Sequence, residues 1–157
     1  MANTKRDKRV VLAINIGNDV IQIGLSDGQD NRKTWQISTP KAMTSDEAQA
    51  VVRNFLRTEE CDATFPNLDK PDGAILASVV PALSDAWIRA LHELRGKRPL
   101  VVGPGLKTGL QMNYNDPAEL GADRIADLVA GHTHSEFPYI ILDLGTTTHL
   151  SGVNSEG

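Results

Sequence analysis

The chain predicts an α/β fold of strand and helix order βββαβαβα, followed by the opening of a second, similar unit. Three observations carry this. The stretches 10–16 (VVLAINI), 73–80 (GAILASVV) and 139–142 (YIIL) are continuous apolar runs of strand length. Between them lie stretches whose apolar residues recur at helical spacing. Finally, Asn15-Ile16-Gly17-Asn18-Asp19 lies over Asp143-Leu144-Gly145-Thr146-Thr147 without a gap, and at the same offset Gly24 meets Gly152. A repeat of this kind points to two similar lobes.

Composition sets the bounds. At 157 residues the chain holds one domain or slightly more. Hydrophobic content of 40% and charge of 23% suit a globular chain with a real core. A net charge of −4 without a basic stripe argues against a nucleic-acid surface, and 4% aromatics against base-stacking platforms. The single Cys61 has no internal disulfide partner, which fits a reducing cytoplasm. No apolar run is long enough to span a membrane, and residues 1–9 (MANTKRDKR) read as a basic flexible leader.

Taken in order, 10–16 is a buried strand, Gly17-Asn18-Asp19 its turn and 20–25 the returning strand. After Asp27-Gly28 a third strand covers 32–37. A helix over 44–58 opens with the capping box Thr44/Glu47 and buries Ala48, Val51, Val52 and Phe55. Residues 59–71, with two prolines and several polar groups, read as a loop. The strand 73–80 leads to a helix over 83–94 burying Ala86, Trp87, Ala90, Leu91 and Leu94. A short strand, 100–102, ends at Gly103-Pro104-Gly105, and 139–142 is another buried strand.

The segment 108–127 (TGLQMNYNDPAELGADRIAD) concentrates turn signals and polar groups. Asn115-Asp116-Pro117 is a helix-start signal, with Glu119 as a capping-box partner; alternatively the helix restarts at Gly121-Ala122. Ile125, Leu128, Val129 and His132 then recur as one buried face. Asp123 and Arg124 fall in the first turn, and Asp127 stands one turn beyond Asp123. A carboxylate among free helix N–H groups is held as the anion and can accept a hydroxyl proton.

The two glycine turns suit phosphate. A glycine at a hairpin tip lets backbone N–H groups approach an anion, and an acidic residue two positions earlier can hold magnesium. Other candidates resolve to structure. His132 and His134 point to different helix faces, so zinc is not expected. His92 sits on a helix surface; His149, on the second hairpin, either faces phosphate or, as the plainer reading, holds an ordinary strand position. Trp35 and Trp87 are core anchors, and Cys61 in a polar loop is inert.

The two hairpins, Gly121-Ala122-Asp123-Arg124, the segment 101–117 (VVGPGLKTGLQMNYNDP) and 78–83 (SVVPAL) closely resemble the type III pantothenate kinases. The resemblance covers essentially the whole chain. It implies the actin-like ATPase (ribonuclease H-like) fold of the acetate and sugar kinase, Hsc70 and actin superfamily. The N-terminal domain would span 10–136, and 137–157 would begin a second, truncated one that in the family carries the adenosine pocket.

By the same resemblance the activity is transfer of the γ-phosphate of ATP to pantothenate, giving 4'-phosphopantothenate in the first step of coenzyme A synthesis. Magnesium and a monovalent cation, potassium or ammonium, are implied, as is a homodimer with active sites at its interface. Asp123 would be the base. Tyr114, Gly121, Ala122, Asp123 and Arg124 would bind pantothenate. Asn15, Gly17, Asn18 and Asp19 would form one phosphate loop and Gly145, Thr146 and Thr147 the other, with Asp143 in the cation's surroundings.

Departures from the family pattern are equally specific. The family's first loop reads Asp-x-Gly-Asn-Thr, whereas this chain has Asn15 and Asp19 at its ends. Its second loop ends Thr-Thr-Phe-Asp where this chain has Thr148-His149-Leu150-Ser151. An uncharged Asn15 holds magnesium weakly, so activity is expected to be impaired. A non-catalytic subunit pairing with a complete paralogue is the alternative. A DNA-binding regulator, a label also carried in the family, is disfavoured by the acidic charge.

Overall fold

The computed structural model of the chain describes residues 9–29, 32–66, 68, 70–111, 120–144 and 148–156. Strands β1 (Val11–Ile16), β2 (Val20–Ser26) and β3 (Arg32–Ser38) form an antiparallel meander. Helices α1 (Ser45–Leu56) and α2 (Glu59–Thr64) follow, then β4 (Gly73–Ser78), α3 (Pro81–Arg95) and β5 (Leu100–Val101). Helix α4 (Ala122–His134) leads to the hairpin β6 (Tyr139–Leu144) and β7 (Thr148–Val153).

The main sheet has the order β3-β2-β1-β4-β5, with β4 and β5 parallel to β1. A meander whose first strand sits beside a parallel pair is the arrangement of the actin-like ATPase domain expected from the sequence. Alternation along the strands assigns the two faces. Leu12, Ile14, Ile16, Ile21, Ile23, Leu25 and Leu76 point into a core closed by α1 and α3, with Leu83, Trp87 and Leu91. Ala77, its phase one residue off, packs on the other face with Val102, Leu120, Ala122 and Ile125. Helix α4 therefore lies on the opposite side of the sheet from α1 and α3.

Local signals explain the helix ends. The Thr44 hydroxyl accepts from Glu47 N–H while the Glu47 carboxylate accepts from Thr44 N–H at 2.8 Å, a complete capping box. Those Thr44 hydrogen bonds hold the Glu47 carboxyl below its usual range. In α3, Pro81 takes the first turn and Gly96 closes the helix at φ 71°. The buried stripe of α1 is Ala48, Val52 and Leu56; Val51 and Phe55 are only partly covered, Phe55 stacking on Trp35 at 5.2 Å.

Two expectations fail. Residues 59–71 are not all loop, because Thr58 caps α2 by accepting from Cys61 N–H, and Glu59, Glu60 and Asp62 favour its N-terminus. Cys61 is consequently buried in the core, where burial pushes its thiol pKa up. The second failure is β6, which is not buried. Ile140, Leu142 and Leu144 face outward, and α4 covers only the face that carries Tyr139 and Ile141.

A candidate phosphate and acceptor site between the first glycine turn and helix α4

Gly17 starts the tight turn from β1 to β2, its N–H donating to Val20 O at 3.0 Å. A Cβ on residue 17 would press on that same carbonyl oxygen, so the turn favours glycine. Thr39 braces the turn twice, its hydroxyl donating to Gly17 O at 2.7 Å and its N–H to Asp19 O at 2.9 Å. Sequence reasoning missed this brace, because Thr39 is distant in sequence and reaches the turn only through strand pairing.

Helix α4 forms the facing wall. Gly121 is its N-cap and contributes no side-chain hydrogen bond. The Asp123 carboxylate instead folds back to accept from Arg124 N–H at 2.8 Å. A Cβ at residue 121 would collide with that carboxylate. The glycine thus gives Asp123 its place at the helix start. Of the two helix starts considered, the one at Gly121-Ala122 is described; Asn115-Asp116-Pro117 and Tyr114 lie outside the described residues.

Between these walls is a polar cavity of about 550 Å³. Asn15, Gly17, Asn18 and Asp19 line it from the first turn, Asp123 and Asp127 from α4, and Asp143 and His149 from the second hairpin. Six of the expected site residues therefore meet in one place. Gly121 stands just behind Asp123, Ala122 packs into the core, and Arg124 turns to Ser151 on β7, its guanidinium donating to the hydroxyl at 3.3 Å. Gly145, Thr146 and Thr147 lie outside the described residues. A second cavity of about 440 Å³, on the open face of the sheet, has no charged group on its wall and suits phosphate chemistry poorly.

Of the two readings of His149, the structure favours the one that faces the cavity: on β7 it is paired with Asp143 of β6 and shares the cavity wall. Asp127 is the other addition. Its carboxyl pKa is raised by local desolvation first, then by the negative charges of Asp143 and Asp123, although the residue as a whole is exposed, which makes the shift modest. The helical spacing of Asp123 and Asp127 was the signal that could have placed it. The buried face of α4 is shorter than expected: Ala122, Ile125 and Leu128 are buried, Val129 is half-buried, and His132 is exposed and stacks on Phe137 at 4.5 Å.

The donor set is suited to a hard cation. The cavity wall carries four carboxylates and no Lys or Arg among the described residues. The Asn15 Oδ1 atom is buried without a hydrogen-bond partner, its Nδ2 leaning on Gln22 Oε1 at 3.4 Å. No three Asp, Glu, His or Cys side chains among the described residues converge into a ready-made cage. Magnesium, which keeps several waters and takes one or two carboxylates plus substrate phosphates, would draw only part of its shell from these residues. The same oxygen atoms suit potassium, and the carboxylates would accept hydrogen bonds from ammonium.

A family model described as type III pantothenate kinase matches residues 11–157. The chain belongs to the type III pantothenate kinase family. Curated members from Geobacter sulfurreducens and Pelobacter propionicus are 39% and 36% identical over 148 residues, covering 94% of this chain and 56% of each relative. One from Bifidobacterium animalis subsp. lactis is 34% identical over 57% of its length. The chain thus spans little more than half the length of these type III pantothenate kinases. A solved structure, the inorganic polyphosphate/ATP-glucomannokinase from Arthrobacter sp. strain KM, overlaps with a TM-score of 0.45 at 15% identity. It covers 93% of this chain and 58% of that one, too loosely to add to the topology.

Proposed function

We propose that the chain carries the phosphate-loop and acceptor side of an ATP-dependent pantothenate kinase, with activity impaired in this chain alone. The observation that carries the reading is the shared cavity of the first glycine turn and Asp123. In it, Asp123 accepts the proton of the pantothenate primary hydroxyl as its oxygen attacks the γ-phosphorus of ATP. The Gly17-Asn18 turn receives the phosphates, and Arg124, Gly121 and Tyr114 orient pantothenate. Phosphoryl transfer asks the protein chiefly for positioning and charge neutralisation. Bound magnesium would neutralise the phosphate charge that four carboxylates otherwise repel, and Asn15 and Asp143 are the oxygen donors the sequence offers. A monovalent cation belongs beside the second loop, and the two lobes divide near residue 136.

The experiment is ADP release by the purified chain with ATP, magnesium and potassium, with and without pantothenate. Pantothenate-dependent release well below that of a complete relative is expected. Release as fast as a complete relative's overturns the impairment, and pantothenate turnover unaffected by Asp123→Asn overturns the site.

A specific observation favours a second reading, a subunit that pairs with a copy or with a complete paralogue in the cytoplasm. Ile140, Leu142, Leu144 and Leu150 form an exposed apolar face on the second hairpin, where a partner would be buried. Co-expression with a complete homologue should give a complex of raised activity. If the proteins elute separately and activity is unchanged, this reading is rejected.

A further inference from the structure

We infer that Asp127, acting with Asp143, supplies the anionic oxygen for the divalent cation that residue 15 lacks in this chain. The inference rests on the kinase reading for the identity of the cation, but on this chain's own geometry for the ligand. Asn15 sits on the α4 side of β1 and lines the cavity, yet it carries no charge. Its Oδ1 is a buried acceptor without a donor among the described residues, a position that a cation or its water shell would satisfy.

The facing wall makes up the missing charge. Asp127 is one helical turn from Asp123, so both carboxylates project from the same side of α4. Asp123 is committed to the acceptor hydroxyl, and its carboxylate is held at Arg124 N–H. Asp127 carries no such duty and looks across to Asp143 on β6.

The charged and titratable groups around it are Asp19 from the first turn, Asp123 from its own helix, Asp143 from β6 and His149 from β7. No Lys or Arg lines this wall among the described residues. Carboxylates that face one cavity repel one another, and a cation held between Asp127 and Asp143 relieves that repulsion. Two carboxylates, with water and phosphate oxygens completing the shell, are what magnesium ordinarily takes. The anionic ligand has in effect moved from β1 to α4.

Manganese(II) is the probe, titrated into the 157-residue chain without nucleotide or pantothenate and followed by the loss of its free electron-spin signal. Asp127→Asn should weaken manganese binding by at least about tenfold. Adding Asn15→Asp in that background should restore binding, a rescue that a merely structural role for Asp127 does not produce. Unchanged affinity in Asp127→Asn, no rescue by Asn15→Asp, or no manganese binding by the parent chain each overturns the assignment.

A measurement on the unaltered chain covers a variant that fails to fold. Substoichiometric manganese should broaden the backbone amide signals at 126–128 and 142–143. Broadening confined to 15–19 overturns the assignment. Because pantothenate is absent throughout, failure here removes only the role of Asp127. The kinase reading is decided separately by ADP release.

Discussion

In the first hairpin Leu12, Ile14, Ile16, Ile21, Ile23 and Leu25 are at most 2% exposed, while in the second Ile140, Leu142, Leu144 and Leu150 are 57–75% exposed. The two share a sequence pattern and differ in what covers them. Helices α1 and α3 close over the first, whereas α4 touches one face of the second. Pairing differs as well. Ile16 pairs with Ile21 across a gap of four residues, but Leu144 pairs with Thr148 across three. A one-residue change of register exchanges the faces of one strand relative to the other. The positions that match Leu12, Ile14 and Ile16 of β1 lie on the face of β6 that α4 leaves uncovered. A repeat visible in sequence duplicates the chain's local preferences without duplicating its surroundings.

The largest effect should come from the first hairpin. Ile14→Ala removes a fully packed side chain and should cost about 2–5 kcal/mol in urea denaturation, whereas Leu142→Ala should change stability by less than about 0.5 kcal/mol. Similar losses at both would mean that the second hairpin is as covered as the first.

Next is Gly131→Ala. Its Cβ would approach Ile141 Cδ1 and the Tyr139 ring to 2.8 Å, and the ring is fixed by its hydroxyl donating to Leu128 O. Overpacking should outweigh the better helix propensity of alanine, for a net loss of about 1–2 kcal/mol. Faster amide exchange at residues 139–144, with β1 and β2 unchanged, is the signature of a break confined to the second hairpin.

Thr39→Val removes the brace on Gly17 O and should cost about 1 kcal/mol, since one backbone acceptor loses its partner. It should loosen the first turn alone, seen as exchange of the Gly17 and Val20 amides.

The smallest effect is a slope with pH. The folded carboxyl of Asp127 has a pKa raised above 3.8, so the folded chain holds more protons than the unfolded one between those two values. Its anion therefore weakens the fold at neutral pH, and the penalty fades as pH falls through the raised pKa. In thermal melts without metal, Asp127→Asn should be more stable than the parent at pH 7, and the difference should vanish in acid. A constant difference across pH would place the effect elsewhere.

Much of this was legible in the residues. The meander, the capping box at Thr44 and Glu47 and the restart at Gly121 are local signals written within a few positions; Pro81 is an equally local start signal for α3, although the apolar spacing starts that helix only at residue 83. The glycines of the 103–109 segment are likewise local, with Gly105 and Gly109 both at φ 85°. Helix α2 was hidden because the two prolines beyond it outweighed a threonine cap in the reading. The exposure of β6 was hidden because apolarity reports what a strand prefers, not what is present to cover it. Asp127 shares the helix face of Asp123, a spacing legible in the sequence, but that this face meets His149 in one cavity depends on the packing of α4 beside the second hairpin, which no local pattern encodes. The brace from Thr39 is similarly a product of pairing.

Gly121 leaves room for the Asp123 carboxylate, since a Cβ at 121 would press on the place that carboxylate now holds. A larger residue there would turn the carboxylate off the Arg124 N–H rather than unfold the helix. The glycine therefore guards the aim of the proton acceptor, and its replacement should cost turnover more than stability.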